Sequence, residues 1–224
     1  MTSLADLAWT DLDLEPRKVL AIPLGATEQH GPHLPLSTDT EVAIVLCELL
    51  AAERDDVVVA PALPYGSSGE HAGFPGTLSI GQDAFEQVVI ELVRSAAASF
   101  DGVVFVCGHG GNAEALLRAV TKARGEGHNV LTFLPRWEGD PHAGRIETSM
   151  MLVVRPDAVR LEAAVTGNTE PLSELLPRLR ADGVRAVSAT GVLGDPCRAN
   201  EVEGAALLDQ AAAHLIADVA RWRG

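Results

Sequence analysis

The chain is short of basic residues: 17 Lys and Arg stand against 31 Asp and Glu, a formal charge of −14 over 224 residues. A nucleic-acid backbone would meet net repulsion, and no basic patch is set apart to overcome it, so no nucleic-acid partner is expected. Cysteine is scarce as well. Cys47, Cys107 and Cys197 are odd in number and scattered, which argues against a disulfide framework and fits a reducing compartment, with the cytoplasm as the expected location. No run approaches the roughly 20 apolar residues of a membrane span. The start, MTSLADLAWTDLDLEP, has no basic segment leading into an apolar core. A soluble, non-exported protein without a membrane partner is the expectation. Repeats, low-complexity tracts and linkers are also missing, and 47% hydrophobic residues in a chain of this length predict one domain, 1–224, around one core.

What is present is an alternation. Arg17 to Leu24 (RKVLAIPL) has the short, branched, apolar character of a buried strand, and Thr40 to Arg54 is long and periodic enough for a helix. The pattern repeats with strand Val57 to Ala60, a Pro- and Gly-rich loop Pro61 to Gly76, and helix Asp83 to Ser99. It repeats again with strand Gly102 to Cys107, loop GHGGN and helix Ala113 to Arg124, followed by strand Asn129 to Leu134. Further helices are expected at Ile146 to Val154, Pro171 to Arg180 and Gly204 to Trp222. This spacing predicts an α/β fold, three layers α/β/α around a mostly parallel sheet. Ligands of such sheets sit beyond the C-terminal strand ends.

The chemically capable residues gather in those loops: Glu28, His30 and Asp39 after the first strand, His71 after the second, His109 after the third, His142 and Glu147 after the fourth. Glu28 and His30, two apart in an extended segment, point to one face, as a metal requires. Asp39 stands just ahead of a helix, so it reads as an N-cap or as a ligand. His33, in a rigid Pro-rich segment, reads as structural, as do His128 and His214. His71 is open between ligand, substrate contact and solvated loop residue. GHGGN turns sharply after a strand, but it lacks the Lys and spacing of a phosphate-binding P-loop and does not match GxGxxG. Glu147 opens an apolar helix that should be buried, and a buried carboxylate needs a partner. Cys107 reads as a small core residue. A nucleophile elbow of the GxSxG type is absent, which sets serine chemistry aside.

Four motifs, GATEQHGPHLPLSTDT, EHAGFPGTLSIG, CGHGGN and DPHAGRIETSMML, together resemble the creatininase (creatinine amidohydrolase) family over about Leu20 to Val154. The resemblance implies a metal-dependent amide hydrolase and a homohexamer built as a trimer of dimers. It implies that Glu28, His30, Asp39 and His109 hold a divalent centre, with Asp39 bridging where two metals bind, which turns Asp39 from cap to ligand. Creatinine-hydrolysing members have a Glu two residues after the GH-loop His, where this chain has Gly111. Glu147 is the candidate replacement, and creatinine is disfavoured as substrate. Length, the short loop YGSSGEHAG and DPHAGRIETSMML are most similar to a peptidase branch. Its substrate is a radical-modified precursor peptide, cut just before its C-terminal Val-Tyr-derived unit to release that cyclised unit. The alternatives are small-molecule amide hydrolysis, as in creatinine ring opening or formamide deformylation, and a non-catalytic binding protein. Carboxylate and imidazole ligands suit Fe²⁺ or Zn²⁺, with Mn²⁺ a further option, one or two per subunit. His142 is the expected proton donor to the leaving amine, with Glu147 orienting it or holding the second metal. Asn112 is expected to anchor the GH loop or to donate to the oxyanion.

Overall fold

A computed structural model describes residues 2–13 and 16–224; residues 1, 14 and 15 of the expected 1–224 unit lie outside the described residues. Four strands, β1 (Val19–Leu24), β2 (Val57–Val59), β3 (Gly102–Cys107) and β4 (Val130–Phe133), form one sheet in the order β2-β1-β3-β4, and every pairing is parallel. Among the described residues six α-helices accompany them: α1 (Thr38–Glu53), α2 (Gln82–Ala96), α3 (Ala113–Gly125), α4 (Arg145–Val154), α5 (Leu172–Asp182) and α6 (Glu201–Arg223).

The strands are apolar because both sheet faces are covered. Val19, Ala21, Val104 and Val106 point into one core with Leu46 and Leu50 of α1, Met150 and Met151 of α4, and Leu208 and Leu215 of α6. Leu20, Ile22, Leu24, Val103, Phe105 and Cys107 point the other way, against Phe85, Val89 and Ile90 of α2 and Leu116 of α3. The result is the three-layer sandwich that the alternation predicts. No described helix is long and apolar enough to cross a membrane.

Two features of this frame place the site. The chain leaves β1 for β2 on one side and returns to β3 on the other, so the order reverses between β1 and β3 and opens a crevice at their C-terminal ends. In addition, α1 begins at Thr38, two residues earlier than the periodicity predicts, with Ser37 at the cap. Asp39 therefore does not cap the helix. It lies inside the first turn, where its side chain is free to face the crevice.

Candidate metal centre

Each strand end delivers part of the centre. Beyond β1, Glu28 and His30 are fully buried, and the first turn of α1 sets Asp39 against them. Beyond β3, His109 closes on the same point. Gly108 allows this, because a Cβ there would collide with the main-chain carbonyl of Asp39. Beyond β4 come His142 and Glu147, joined by Ala143 in a left-handed conformation (φ 51°) that few non-glycine residues adopt. The strained turn aims the Ala143 N–H at Glu147 Oε2, 2.5 Å away.

The atoms converge tightly. His30 Nε2 lies 3.1 Å from Asp39 Oδ1 and 3.8 Å from Glu147 Oε2. His109 Nδ1 lies 3.2 Å from Asp39 Oδ2, and its Nε2 lies 3.2 Å from Glu28 Oε2. The other Glu28 oxygen is 3.2 Å from His71 Nε2 and 3.9 Å from His142 Nδ1. Among the described residues there are three sets whose potential ligand atoms lie within 4.8 Å of one another: Glu28, Asp39 and His109; His30, Asp39 and Glu147; Glu28, His30 and His142. Asp39 belongs to two of them, as a bridging carboxylate would.

Two observations test whether these residues fit a cation. Both oxygens of Glu28 and Oδ2 of Asp39 are buried without a hydrogen bond. Ring nitrogens approach them to ion-pair distance but are not aligned to donate. A buried carboxylate left this way is costly, and a cation where its lone pairs point removes the cost. The second observation concerns the rings. His30 Nδ1–H donates to Glu28 O (3.1 Å), His109 Nε2–H to Ser67 O (3.0 Å) and His142 Nε2–H to Gln29 O (2.9 Å). Those main-chain acceptors fix the tautomers and leave His30 Nε2, His109 Nδ1 and His142 Nδ1 bare towards the carboxylates, the arrangement found around metal-bound histidines. The donor set fits a divalent cation of the zinc, iron or manganese type.

Without a cation, protons occupy its place. Burial pushes the Glu28 carboxyl up to about 8, against the pull of His109. Burial disfavours charge on His30 and His109 too, but the adjoining carboxylates prevail: Asp39 for His30, Glu28 and Asp39 for His109, and both rise to about 10. Asp39 is buried yet held well below the usual carboxylate range by His30 and His109. Burial, then the charge on His30, lowers His71 to about 3 and His142 well below its ordinary value. Metal binding must displace protons from this set.

The remaining histidines separate. His33 is buried and outside the three sets; its Nε2 meets Thr148 Oγ1 at 2.9 Å and ties the loop to α4. His128 and His214 lie outside them as well. His71, left open by the sequence, is brought to the centre. Gln29 carries no sequence signal beyond its place between Glu28 and His30. Its amide Nε2 donates to His71 Nδ1 (2.8 Å) and to Gly191 O (3.2 Å), and its main-chain carbonyl holds His142. Asn112 spends its side chain on the main chain, accepting from Ser67 N (2.8 Å) and donating to Gly25 O (3.0 Å), so it anchors three strand-end loops together.

A profile of the family Creatininase (creatinine amidohydrolase) matches residues 5–219. The chain belongs to the creatininase family. It is 46% identical over 213 residues to the mycofactocin precursor peptide peptidase of Mycolicibacterium smegmatis, an alignment covering 92% of this chain and 85% of that one. Solved creatininases share the fold. A zinc–zinc form of a creatininase variant superposes with a TM-score of 0.81 at 24% identity, covering 97% of this chain and 96% of that one. A manganese form superposes with a TM-score of 0.80 at 24% identity, covering 97% of each. Against creatinine-hydrolysing creatininases, the departure at Gly111 has a steric cause here. A Cβ at position 111 would collide with Glu70 Oε1, His109 Nε2 and Ser67 O, so a glutamate has no room there. Glu147 Oε2, 3.8 Å from His30 Nε2, is the third carboxylate of the three sets, beside those of Glu28 and Asp39.

Proposed function

We propose that this creatininase-family chain is a metal-dependent peptidase of mycofactocin biosynthesis. It hydrolyses the amide bond before the modified C-terminal Val-Tyr unit of the precursor peptide and releases the cyclised, dipeptide-derived product. The observation that carries hydrolysis at a metal is Glu28: both its oxygens are buried, accept no hydrogen bond and lie among histidine rings. The kinship with the Mycolicibacterium peptidase supports the substrate. A cavity of about 820 Å³ lies over the centre, with room for a peptide segment.

Glu28, Asp39 and His109 would hold one ion, and His30, Asp39 and Glu147 a second, with Fe²⁺ or Zn²⁺ ahead of Mn²⁺. A divalent cation there supplies Lewis acidity, polarising the scissile carbonyl and making water acidic enough to attack at neutral pH. His142 moves the proton. With Nε2–H fixed on Gln29 O and burial keeping the ring neutral, Nδ1 accepts the proton of the attacking water. The same nitrogen then hands it to the departing amine as the C–N bond breaks. Glu147, held by the Ala143 N–H, keeps the His142 turn in place. A single-domain cytoplasmic enzyme accords with the charge balance and the free cysteines, and the family resemblance of the motifs points to a homohexamer.

Incubating the metal-loaded protein with the modified precursor peptide and, separately, with creatinine, followed by mass spectrometry, tests this. Release of the C-terminal unit from the peptide is expected. Turnover of creatinine alone would replace the peptidase with a small-molecule amidohydrolase.

A further inference from the structure

One wall of the cavity is a helix with bare leucines. α5 buries Leu175 in the interior, while Leu172, Leu176 and Leu179 line the cavity with Val184 and Leu193. Their spacing, four and then three residues, puts the three leucines on one helix face. Leu172 is 43% exposed and Leu176 38%. The same cavity is also lined by the carboxylates of Glu28, Asp39 and Glu147. Acid floor and aliphatic wall thus share one space.

We infer that α5 is the specificity element of this enzyme: its leucine face holds the aliphatic and aromatic groups of the unit on the C-terminal side of the cut bond. The inference rests on the peptidase reading and adds to it the residues that read the substrate. Leucines and carboxylates line one cavity, so a substrate that fills it outwards from the centre meets α5. On those leucines an apolar side chain gains by burial, whereas a polar one finds partners only at charged residues elsewhere in the lining, Glu70, Glu114, Arg180 and Asp182. The apolar part of the proposed substrate is its Val-Tyr-derived end.

The wall is also held at a fixed distance from the floor. Gly183, at the end of α5 with φ 76°, packs directly on the main chain of Glu70, where a Cβ would strike the Glu70 carbonyl. Arg185 donates to Gly73 O and lies over the Phe74 ring, 5.4 Å from its centroid. The segment that carries His71 to the centre is therefore clamped by the turn that ends α5.

Isothermal titration of the metal-loaded protein decides this with two N-acetylated probe peptides, identical except that one ends in Val-Tyr amide and the other in Ser-Asn amide. The wild type is expected to bind the Val-Tyr probe at least tenfold more tightly. In Leu172→Gln/Leu176→Gln the preference should fall to about twofold or less, with metal content and melting temperature unchanged. Leu172→Gln alone, at the exposed first residue of α5, should cut it at least threefold if the double variant does not fold. A wild type without preference, or a double variant that keeps it, overturns the inference. A preference that vanishes as expected in a protein that never cleaves the modified peptide would leave the wall in place and remove the peptidase.

Discussion

On the floor of the cavity the polar side chains are buried and fastened to main chain; on its wall, α5 leaves leucines open to whatever enters. Glu28, His30, Asp39 and His109 have almost no exposure, and the rings of His30, His109 and His142 are fixed by main-chain carbonyls. α5 anchors itself through Leu175 and its Gly183 end and offers the rest of its face. The difference teaches a division of labour. Chemistry that depends on tenths of an ångström is set in the crowded strand-end loops, and recognition, which tolerates variation, is set on a helix with spare surface. Changes to the floor should abolish function outright, and changes to the wall should alter preference only.

The largest effect is expected from His109→Ala or Glu28→Ala. Either should lose metal retention, and cleavage should drop at least about a thousandfold in kcat/KM, roughly 4 kcal/mol of transition-state stabilisation. Metal analysis of the purified variant alongside a peptide-cleavage assay checks both; a metal-free His109→Ala protein with full activity would break the division at its base. Asn112→Ala comes next. It leaves the buried Ser67 N–H and Gly25 carbonyl without their Asn112 partner, at about 1–3 kcal/mol each, so urea unfolding should show a loss of about 2–6 kcal/mol. Gly111→Ala should be milder and more local: the added methyl displaces His109, and competition with a chelator should reveal a ten- to hundredfold weaker hold on the metal.

The smallest effect concerns His33, a buried ring outside the centre. Burial, with the charge on His30, lowers His33 to about 4, below its ordinary 6.5. Above pH 6.5 the ring is neutral in both folded and unfolded chains and contributes nothing. As the pH falls from 6.5 towards 4, the unfolded chain binds the proton that the folded one refuses, so stability declines with acid. Between pH 7.5 and 5.5 the wild type should lose about 1 kcal/mol more than His33→Gln, by urea unfolding at the two pH values. Equal losses would assign the acid sensitivity elsewhere.

The same contrast governs what the sequence discloses. Floor residues are legible because they crowd the short loops after apolar strands, where few other reasons place Glu, His and Asp together. Asp39 is the instructive exception: α1 begins at Thr38, a boundary that periodicity cannot fix to within two residues, and that offset moves Asp39 from the cap into the first turn. His71 and Gln29 take their parts from contacts across the crevice, with partners as distant in sequence as His142 and Gly191, and no local pattern encodes those. The leucines of α5 are the least legible. An apolar helical stripe reads as a core face, and only tertiary placement reveals that Leu175 is core while Leu172 and Leu176 border the cavity.

The carbonyls that orient the three rings belong to Glu28, Gln29 and Ser67. Every amino acid brings the same carbonyl, so substitutions at positions 29 and 67 can change side chains without deleting the contact itself. Ring orientation is thereby insulated from drift in side-chain identity and exposed instead to shifts of backbone path. Insertions and deletions in the loops after β1 and β2, rather than point replacements, are the changes through which this centre would be retuned or lost.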